Sequence, residues 1–373
     1  MGKYIYESGK WPDLVYDEGL LREPLAKLHH AQGRLFGKLD ALGFDVQNGL
    51  LLNAVSDEVV NSSEIEGERL SRLGVRSSVA KRLGLETAGL TDVAVNHYTE
   101  GVVDMALDAT QNYSSPLTGE RLIGWHSALF PTGRSGLRLI KTGAYRADDI
   151  AVVSGAIGRE RTHYKAPPPE HVPYEMAGFI EWLEADQGGD PYVKAGIAHL
   201  RFELIHPFDD GNGRIGRAIA DLLLARAEKS PKRFYSLSSQ LMAERNAYYD
   251  ELEAASGYSG DAGRWAAWFL GCLTRAVEAS EGQLEAAKRK SVFFERLRGS
   301  ALNERQASML NRLFDGFEGN LTSAKWAKLC KCSHDTALRD IADLLEKGVL
   351  ARSAAGGRST SYVLAGERTN GAG

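Results

Sequence analysis

The sequence predicts a mainly α-helical protein: a helical bundle that carries one β-hairpin, followed by a small C-terminal unit of helices and a second hairpin. Apolar residues recur three and four positions apart over most of the first 290 residues, which is the spacing of amphipathic helices. Short apolar runs broken by glycine and proline occur near residues 143–169 and 350–364, and these favour hairpins. With 43% hydrophobic and 25% charged residues among 373, the chain is typical of a globular protein of two or three domains.

The region from Leu21 to Glu120 is expected to be helical throughout. A leucine stripe marks its first helix, and Gly43 is placed as the stop of that helix. A second apolar stripe runs from Leu50 to Val59, with Gly67 as its stop. Helical periodicity returns over residues 174–183, 191–205, 213–227 and 261 to about 290. The predicted hairpin between Gly143 and Pro169 therefore interrupts an otherwise helical bundle.

Charge and composition exclude several classes of protein. The 45 basic and 49 acidic residues give a net charge of −4, too near neutral for a surface built wholly to hold nucleic acid or an anionic membrane. No stretch approaches 18 uninterrupted apolar residues, and the first 17 residues carry charges where a signal peptide needs an apolar run. Three cysteines are too few for a disulfide framework. We therefore expect a cytoplasmic protein without membrane contact.

One segment concentrates chemistry between two helical runs: His206-Pro-Phe-Asp-Asp-Gly-Asn-Gly-Arg-Ile-Gly-Arg217. Gly211 and Gly213 allow a tight turn that brings backbone N–H groups against a ligand, and the next helix directs its positive dipole end to the same place. An anion is expected there. Arg214 and Arg217, three apart, are placed to grip phosphate oxygens, Asp210 to hold a Mg²⁺ that shares them, and His206 to accept a proton.

Two other interpretations of this segment were weighed. Its glycines also fit G-x-G-x-x-G, but the dinucleotide fingerprint needs a preceding strand, and helical spacing precedes His206 instead. No apolar strand with a closing acid follows Ala227 at the right distance. A cap that merely ties two helices together is the other alternative. Neither is favoured.

The segment matches H-P-F-x-D/E-G-N-G-R-x-x-R at every specified position, and the chain thereby resembles the Fic/Doc family of AMP transferases. The resemblance implies transfer of AMP from ATP to a Ser, Thr or Tyr hydroxyl of a target protein, with Phe208 as a core anchor. It also implies a role for each polar residue: His206 as the base, Asp210 on Mg²⁺, Asn212 with the Gly211 and Gly213 amides around phosphate, and Arg214 and Arg217 on the β- and γ-phosphates.

The same resemblance extends to a flap and an adenine pocket. The hairpin around Val153, Ser154 and Gly155 resembles the family's flap, which pairs with an extended target segment by strand addition. Arg159, Arg161 and Lys165 make this flap basic. Tyr248 and Tyr249 resemble the tyrosine pair that lines the adenine pocket, although plain core packing is the alternative for either one. Some relatives have an Asn eight positions after the first tyrosine, where this chain has Ser256.

Ser62, Glu66 and Gly67 match the family's inhibitory motif, S/T-x-x-x-E-G/N. From the residues alone, Glu66 would be a solvated acid in the last turn of a helix. The resemblance, which covers about residues 21–280, implies instead that Glu66 forms an ion pair with Arg217 and blocks the γ-phosphate site. It also implies a homodimer and self-AMPylation. Removal of AMP by the same site, or a DNA-binding regulator that only senses nucleotide, remain alternatives.

The C-terminal unit resembles a winged helix. Thr322-Ser323 caps one helix and Ser333 caps a second, for which Leu338, Ile341, Leu344 and Leu345 are expected to face inward. Gly348 ends that helix, and residues 350–364 would form the wing. The second helix has a net charge of −2, so DNA binding is possible but a protein-contact or structural role is favoured. A metal site at Cys330-Lys-Cys332 is not favoured, because a second ligand pair is missing.

The predicted organisation has four parts: an N-terminal helical extension with the inhibitory helix (1–110), a catalytic core (111–290), a winged-helix-like domain (291–366) and a tail (367–373).

Overall fold

The computed structural model describes residues 2–85, 95–154, 161–186, 188–314, 317, 319–353 and 360–365. The chain divides into two compact units, Met1–Leu284 and Glu285–Gly373. The predicted mainly helical fold is confirmed. No helix within the described ranges combines the length and the apolar character that crossing a membrane requires.

The first unit contains ten complete helices, the greater part of an eleventh and two short hairpins among its described residues. The helices are α1 (Arg22–Asp40), α2 (Phe44–Ile65), α3 (Arg72–Arg82), α4 (His97–Gln111), α5 (Gly119–Leu129), α6 (Val172–Glu184), α7 (Pro191–Ile205), α8 (Asn212–Glu228), α9 (Leu237–Ala243), α10 (Arg245–Ser256) and α11 (Ala262–Arg296). Single 3-10 turns lie at Ile5–Glu7, Glu18–Leu21 and Pro169–His171.

The hairpins are β1 (Arg134–Ser135) with β2 (Arg138–Leu139), and β3 (Ala151–Ser154) with β4 (Arg161–Lys165), both antiparallel. The β3–β4 hairpin was predicted, and a register shift interrupts it between Val152 and Val153. The β1–β2 hairpin was not. Gly155 and Arg159 of the predicted flap lie outside the described residues.

The helices begin where the sequence offers capping side chains. Ser71, Asn96, Thr118 and Asp190 each accept a hydrogen bond from an N–H in the first turn of the helix that follows. The predicted stop at Gly43 was wrong: α1 ends at Asp40, and Gly43 is the N-cap of α2. The side chain of Gln47 in α2 donates to the carbonyls of Leu39 and Leu42, which satisfies the end of α1 without a glycine cap.

Helices α7 and α8 form the centre of the first unit. Nearly every residue of α7 is buried, as are most residues of α8. Burying large apolar side chains along both helices stabilises the helical pair by removing their surface from water. The loop between the two helices, residues 206–211, is therefore held between rigid elements.

The second unit contains α12 (Glu304–Phe314), α13 (Ser323–Leu329), α14 (His334–Glu346) and the hairpin β5 (Leu350–Arg352) with β6 (Tyr362–Leu364). Leu321, just before α13, bridges to Tyr362. Thr322 and Ser333 cap α13 and α14 as predicted. Residues 354–359 of the predicted wing and 366–373 of the predicted tail lie outside the described residues.

Two expectations for this unit were wrong. Leu338 is exposed on α14, because Ala337, Ile341 and Leu344 provide the inward stripe at helical spacing. The helical periodicity was expected to end at about residue 290, but α11 continues as far as Arg296. Phe293 packs its ring 4.9 Å from that of Phe314, so apolar contacts within the second unit support the extra turns.

Candidate active site

His206 lies at the junction between α7 and the loop. It is the C-cap of α7 and adopts the left-handed conformation with φ of 51°, which is uncommon for a residue with a side chain. Its ring Nδ1 lies 3.2 Å from the carbonyl oxygen of Glu203. With the ring proton on Nδ1, Nε2 is left as an acceptor. Burial lowers the pKa of His206 to about 4, so the ring is neutral at pH 7.

The loop after His206 is held in shape by Asn212. Its side-chain oxygen accepts from the N–H of Phe208 at 2.9 Å, and its amide donates to the Phe208 carbonyl at 2.8 Å. The Phe208 ring is buried and stacks on His126 with centroids 4.3 Å apart. Phe208 thus anchors the loop in the core. Both polar groups of the Asn212 side chain bond to the loop backbone, so Asn212 shapes the loop that the sequence predicts around a phosphate.

The first turn of α8 is a candidate anion site, and the Glu66 carboxylate lies beside it. Gly211 is the N-cap with φ of 83°, and its N–H donates to Asp210 rather than pointing at a ligand. A Cβ atom at Gly213 would clash with Oε1 of Glu66. Because the N–H groups of a first helical turn lack helical partners, they attract negative charge. The Glu66 carboxylate lies where a phosphate would be favoured.

Three hydrogen bonds connect Arg217 to the end of α2. Its Nη2 lies 2.8 Å from Oε1 of Glu66 and donates at 2.8 Å to the carbonyl of Ser62, while Nε donates at 2.9 Å to the Ser62 hydroxyl. The Arg217 side chain is 1% exposed. Burial opposes its charge, but nearby groups, with Glu66 the strongest, hold its pKa above the ordinary value. The ion pair that the resemblance implies is therefore present, with Gly67 at φ of 84° ending the helix.

The side chains of Arg214 and Arg217, which the spacing places on one helix face, contact different partners in the structure. Arg214 donates to the hydroxyl of Tyr98, lies 5.1 Å above the ring of Phe130 and has Nη2 3.5 Å from Oδ1 of Asp210. It is buried away from Glu66. The side chains diverge because each guanidinium finds its partners on a different element, α4 for Arg214 and α2 for Arg217.

Asp210 offers one carboxylate beside the anion site, and its side chain is 40% exposed. One oxygen accepts from the hydroxyl of Ser135 in β1, and the other accepts from the Gly211 N–H. Among the described residues no group of three or more His, Cys, Asp or Glu side chains could hold a metal alone. A single accessible carboxylate fits Mg²⁺, which commonly takes one or two carboxylates together with phosphate oxygens of a substrate.

A cavity of about 480 Å³ opens between the loop, α10 and the β3–β4 hairpin. His206, Glu66 and Gly213 line one part, and Tyr248 and Tyr249 line another. Tyr248 is buried, with its hydroxyl 2.9 Å from Nε2 of His199, whereas Tyr249 is 40% exposed and donates to the Ile65 carbonyl at 3.2 Å. Tyr248 therefore lines the cavity and also packs in the core. Ser256 lies on the same wall.

Sequence reasoning missed several residues that build the site. Buried Arg146 donates through Nε to the His206 carbonyl at 2.8 Å and through Nη2 to the Pro167 carbonyl at 2.6 Å, so it joins the loop to the base of the hairpin. The hydroxyl of Tyr164 in β4 donates to the Leu204 carbonyl at 2.6 Å. No spacing signal identifies these long-range contacts. Glu203 was detectable, as the one acid in a helix that is otherwise almost wholly buried.

Comparisons with known proteins bear on this site. The Fic/DOC family model matches residues 116–224, and a model described as a domain of unknown function, DUF4172, matches residues 4–85. The protein adenylyltransferase Fic of Aedes aegypti is 26% identical over 255 residues, 66% of this chain and 46% of its own length. A probable protein adenylyltransferase of Aquifex aeolicus is 39% identical over 80 residues, 21% of this chain and 23% of its own. The chain thus spans less than half the length of these curated relatives.

Solved structures share the fold. A Fic family protein from Desulfovibrio desulfuricans is 22% identical with a TM-score of 0.54, over 95% of this chain and 98% of that one. Fic-1 of Caenorhabditis elegans (residues 134–508) is 19% identical with a TM-score of 0.50, over 72% and 73%. The helix–loop–helix around His206 falls within the matched residues. This chain carries a Fic/DOC domain at residues 116–224.

Proposed function

We propose that this protein is a protein adenylyltransferase that transfers AMP from ATP to a hydroxyl group of a target protein, and that Glu66 holds it inactive. One observation carries the proposal. The His206 imidazole, with Nε2 as the acceptor, shares a cavity with the start of α8, where a first helical turn favours an anion and where the Glu66 carboxylate lies against Gly213 and pairs with Arg217. The names of the relatives from Aedes aegypti and Aquifex aeolicus support the same activity.

The reaction follows from that placement. ATP displaces the Glu66 carboxylate. The phosphates of ATP then bind at the first turn of α8 and to the N–H groups of Arg217 that Glu66 has released. The target hydroxyl oxygen attacks the α-phosphorus while its proton passes to Nε2 of His206. The bond between the α-phosphorus and the oxygen that leads to the β-phosphate breaks, and pyrophosphate leaves. The protein contributes position and charge, together with one proton acceptor.

Other residues bind and orient in this proposal. Asp210 would hold Mg²⁺, which would neutralise charge on the phosphate oxygens. Tyr249 and Tyr248 would border the adenine. The target segment would pair with the β3–β4 hairpin, where Val153 and Ser154 lie in β3. Arg214 would bind the phosphates only after it gave up its hydrogen bond to the Tyr98 hydroxyl.

The second unit has the element order of a winged helix, and we infer a protein-contact or structural role for it. Its candidate reading helix, α14, places Asp340 in an ion pair with Arg305 at 2.7 Å and Asp343 in one with Lys347 at 2.6 Å. These pairs neutralise two acids of the helix, but Asp335 and Glu346 remain exposed on it and would repel a phosphate backbone. DNA binding, a homodimer and a cytoplasmic location remain predictions.

The test uses ATP radiolabelled at either the α- or the γ-phosphate, with Mg²⁺. We expect the Glu66→Gly variant to acquire label from α-labelled ATP well above the wild type, and none from γ-labelled ATP. His206→Ala in the Glu66→Gly background should bind nucleotide yet acquire almost no label, since a general base contributes roughly 10² to 10⁴ in rate. Equal labelling of wild type and Glu66→Gly, or retained transfer by His206→Ala, would contradict the proposal. Release of AMP from the labelled variant by wild-type protein would favour AMP removal instead.

A further inference from the structure

A second acid, Glu203, faces the arginine that Glu66 holds. It lies in α7, one turn before His206, and lines the same cavity as Glu66 and His206. Its Oε1 is shut off from solvent and has no hydrogen-bond partner among the described residues. A Cβ atom at Gly216 would lie 2.7 Å from this oxygen. The carboxyl group therefore rests directly on α8, beside the residue that precedes Arg217.

Arg217 has a spare donor on the same side of α8. Its Nε and Nη2 bind Ser62 and Glu66, whereas Nη1 is buried without a partner among the residues that the structure describes. A Cβ atom at Gly213 would lie 3.1 Å from Nη1. Positions 213 and 216 are three apart on one helix face, about 5–6 Å from each other. An unpaired carboxyl oxygen and an unpaired guanidinium N–H thus lie over neighbouring positions of α8 without bonding to each other.

We propose that Glu203 is a second, proton-dependent competitor for Arg217 in the proposed adenylyltransferase: as a neutral acid it leaves the guanidinium to a phosphate, and as a carboxylate it pairs with Arg217 and repels the phosphate. A charged pair of this kind would form strong hydrogen bonds, so the unbonded arrangement fits a neutral acid. Glu203 is thus a positioning residue. It acts on nucleotide binding through Arg217.

The electrostatic surroundings agree with a neutral Glu203. Burial raises the pKa of Glu203 to about 8. The charge of Arg217 lowers this pKa, and the charge of Glu66 raises it. The other groups that face it keep their charge between about pH 6.5 and pH 9. Burial lowers the pKa values of His199 and His206 to about 4, and raises that of Tyr248 well above its ordinary value. Among the groups just named, Glu203 is the one whose pKa lies within this range.

Removing Glu66 should shift the behaviour of Glu203. The Glu66 charge raises the Glu203 pKa, so Glu66→Gly lowers it and leaves Glu203 more ionised at neutral pH. In that variant the Glu203 carboxylate takes over part of the contact that Glu66 made with Arg217. A bound nucleotide restores negative charge beside Glu203 and raises its pKa again. Nucleotide binding to Glu66→Gly should therefore take up a proton.

The experiment measures binding of α,β-methylene-ATP with Mg²⁺ by titration calorimetry, because the methylene group replaces the oxygen whose bond would break. Glu66→Gly is compared with Glu66→Gly/Glu203→Gln from about pH 6.5 to about pH 8.5. We expect the Kd of the single variant to rise with pH, by at most tenfold per pH unit for coupling to one proton. The double variant should bind tighter at the alkaline end and lose this slope.

Two controls accompany the measurement. Glu66→Gly/Glu253→Gln removes a carboxylate from the same cavity wall, where Glu253 pairs with Arg161 and His163 at 2.7 Å each, and should keep the pH slope. Binding heats for Glu66→Gly in two buffers of different ionisation enthalpy count the protons taken up, and this readout keeps Glu203 in place should the Gln variant fail to fold.

The inference is overturned if the double variant binds the analogue more weakly than Glu66→Gly does. It is also overturned if the double variant keeps the pH slope and Glu66→Gly takes up no proton on binding. Either result leaves the proposed function standing. If Glu66→Gly binds the analogue no better than wild type, the brake and this inference both fall.

Discussion

Oε1 of Glu66 lies 2.8 Å from Nη2 of Arg217, and the two partners differ sharply in exposure: the Glu66 side chain is 31% exposed and the Arg217 side chain 1%. The buried arginine is therefore not left as an uncompensated charge, which would be costly. The acid remains accessible to an incoming anion. An ion pair with one accessible partner can be exchanged for a phosphate without unfolding either helix, and this asymmetry suits a reversible brake.

Replacing the charge of Glu66 while keeping its size should weaken the brake. In Glu66→Gln the amide oxygen still accepts from Arg217, but the Coulomb attraction between two opposite charges is lost. We expect labelling from α-labelled ATP between that of wild type and Glu66→Gly. Inhibition as complete as in wild type would show that the obstruction is steric rather than electrostatic.

The Ser62 hydroxyl should contribute a measurable part of the brake, because it accepts from Nε of Arg217 at 2.9 Å. A hydrogen bond to a charged group contributes roughly 1.5–3 kcal/mol, so Ser62→Ala should raise labelling, though less than Glu66→Gly. Ser63→Ala is the matched control, since the neighbouring buried hydroxyl has no partner among the described residues. The idea is lost if the two alanine variants label alike.

The rate of AMP transfer should not fall on the acid side of neutral pH, as it would if the base were a histidine with its ordinary pKa. Burial lowers the pKa of His206 to about 4, so the neutral form that accepts the proton persists as the pH falls from 7 towards 5.5. The pH profile of kcat/KM for ATP reports the pKa values of the essential groups in the free enzyme. It can be measured by following the release of pyrophosphate in the reaction of the Glu66→Gly variant. A rate that falls on the acid side with an apparent pKa near 6.5 would contradict this environment for His206.

Arg233 should be important for stability. Its fully buried guanidinium lies 3.2 Å from Asp221 and 3.8 Å from Glu228, and it covers the Tyr235 ring at 4.4 Å. Removing the charge in Arg233→Leu leaves both buried acids uncompensated, so we expect a loss of about 3–5 kcal/mol in the free energy of unfolding. Burial already raises the pKa of Asp221 well above its usual value.

Urea denaturation measures this loss. Arg264→Leu breaks the exposed pair with Glu251 and should leave the urea midpoint nearly unchanged, because solvent screens exposed ion pairs. Equal midpoints for the two variants would argue against a structural role for the buried cluster.

The local conformation of turns and helix ends could be predicted from the sequence. Glycines at 67 and 211 adopt the positive φ values that their positions in the pattern implied, and the caps at Thr322 and Ser333 begin helices because their side chains accept N–H groups a few residues away. The mainly helical class followed from the spacing of apolar residues. These features depend on neighbours within about one helical turn, so they can be inferred from the order of residues alone.

What the sequence by itself determined is therefore most of the helices, the β3–β4 hairpin and the identity of the reactive segment 206–217; the bounds of α9 and α10 came from the structure. Tertiary structure decided where each side chain points. Asn212 turned back onto the loop, Arg214 went to Tyr98, and β1–β2 formed from residues too exposed to show an apolar alternation. The packing of α7 against α8 brought Glu203 beside Arg217, and the packing of α2 against α8 brought Glu66 to the same arginine. Partners that lie far apart in the chain are chosen by burial and charge compensation, which only the folded arrangement specifies.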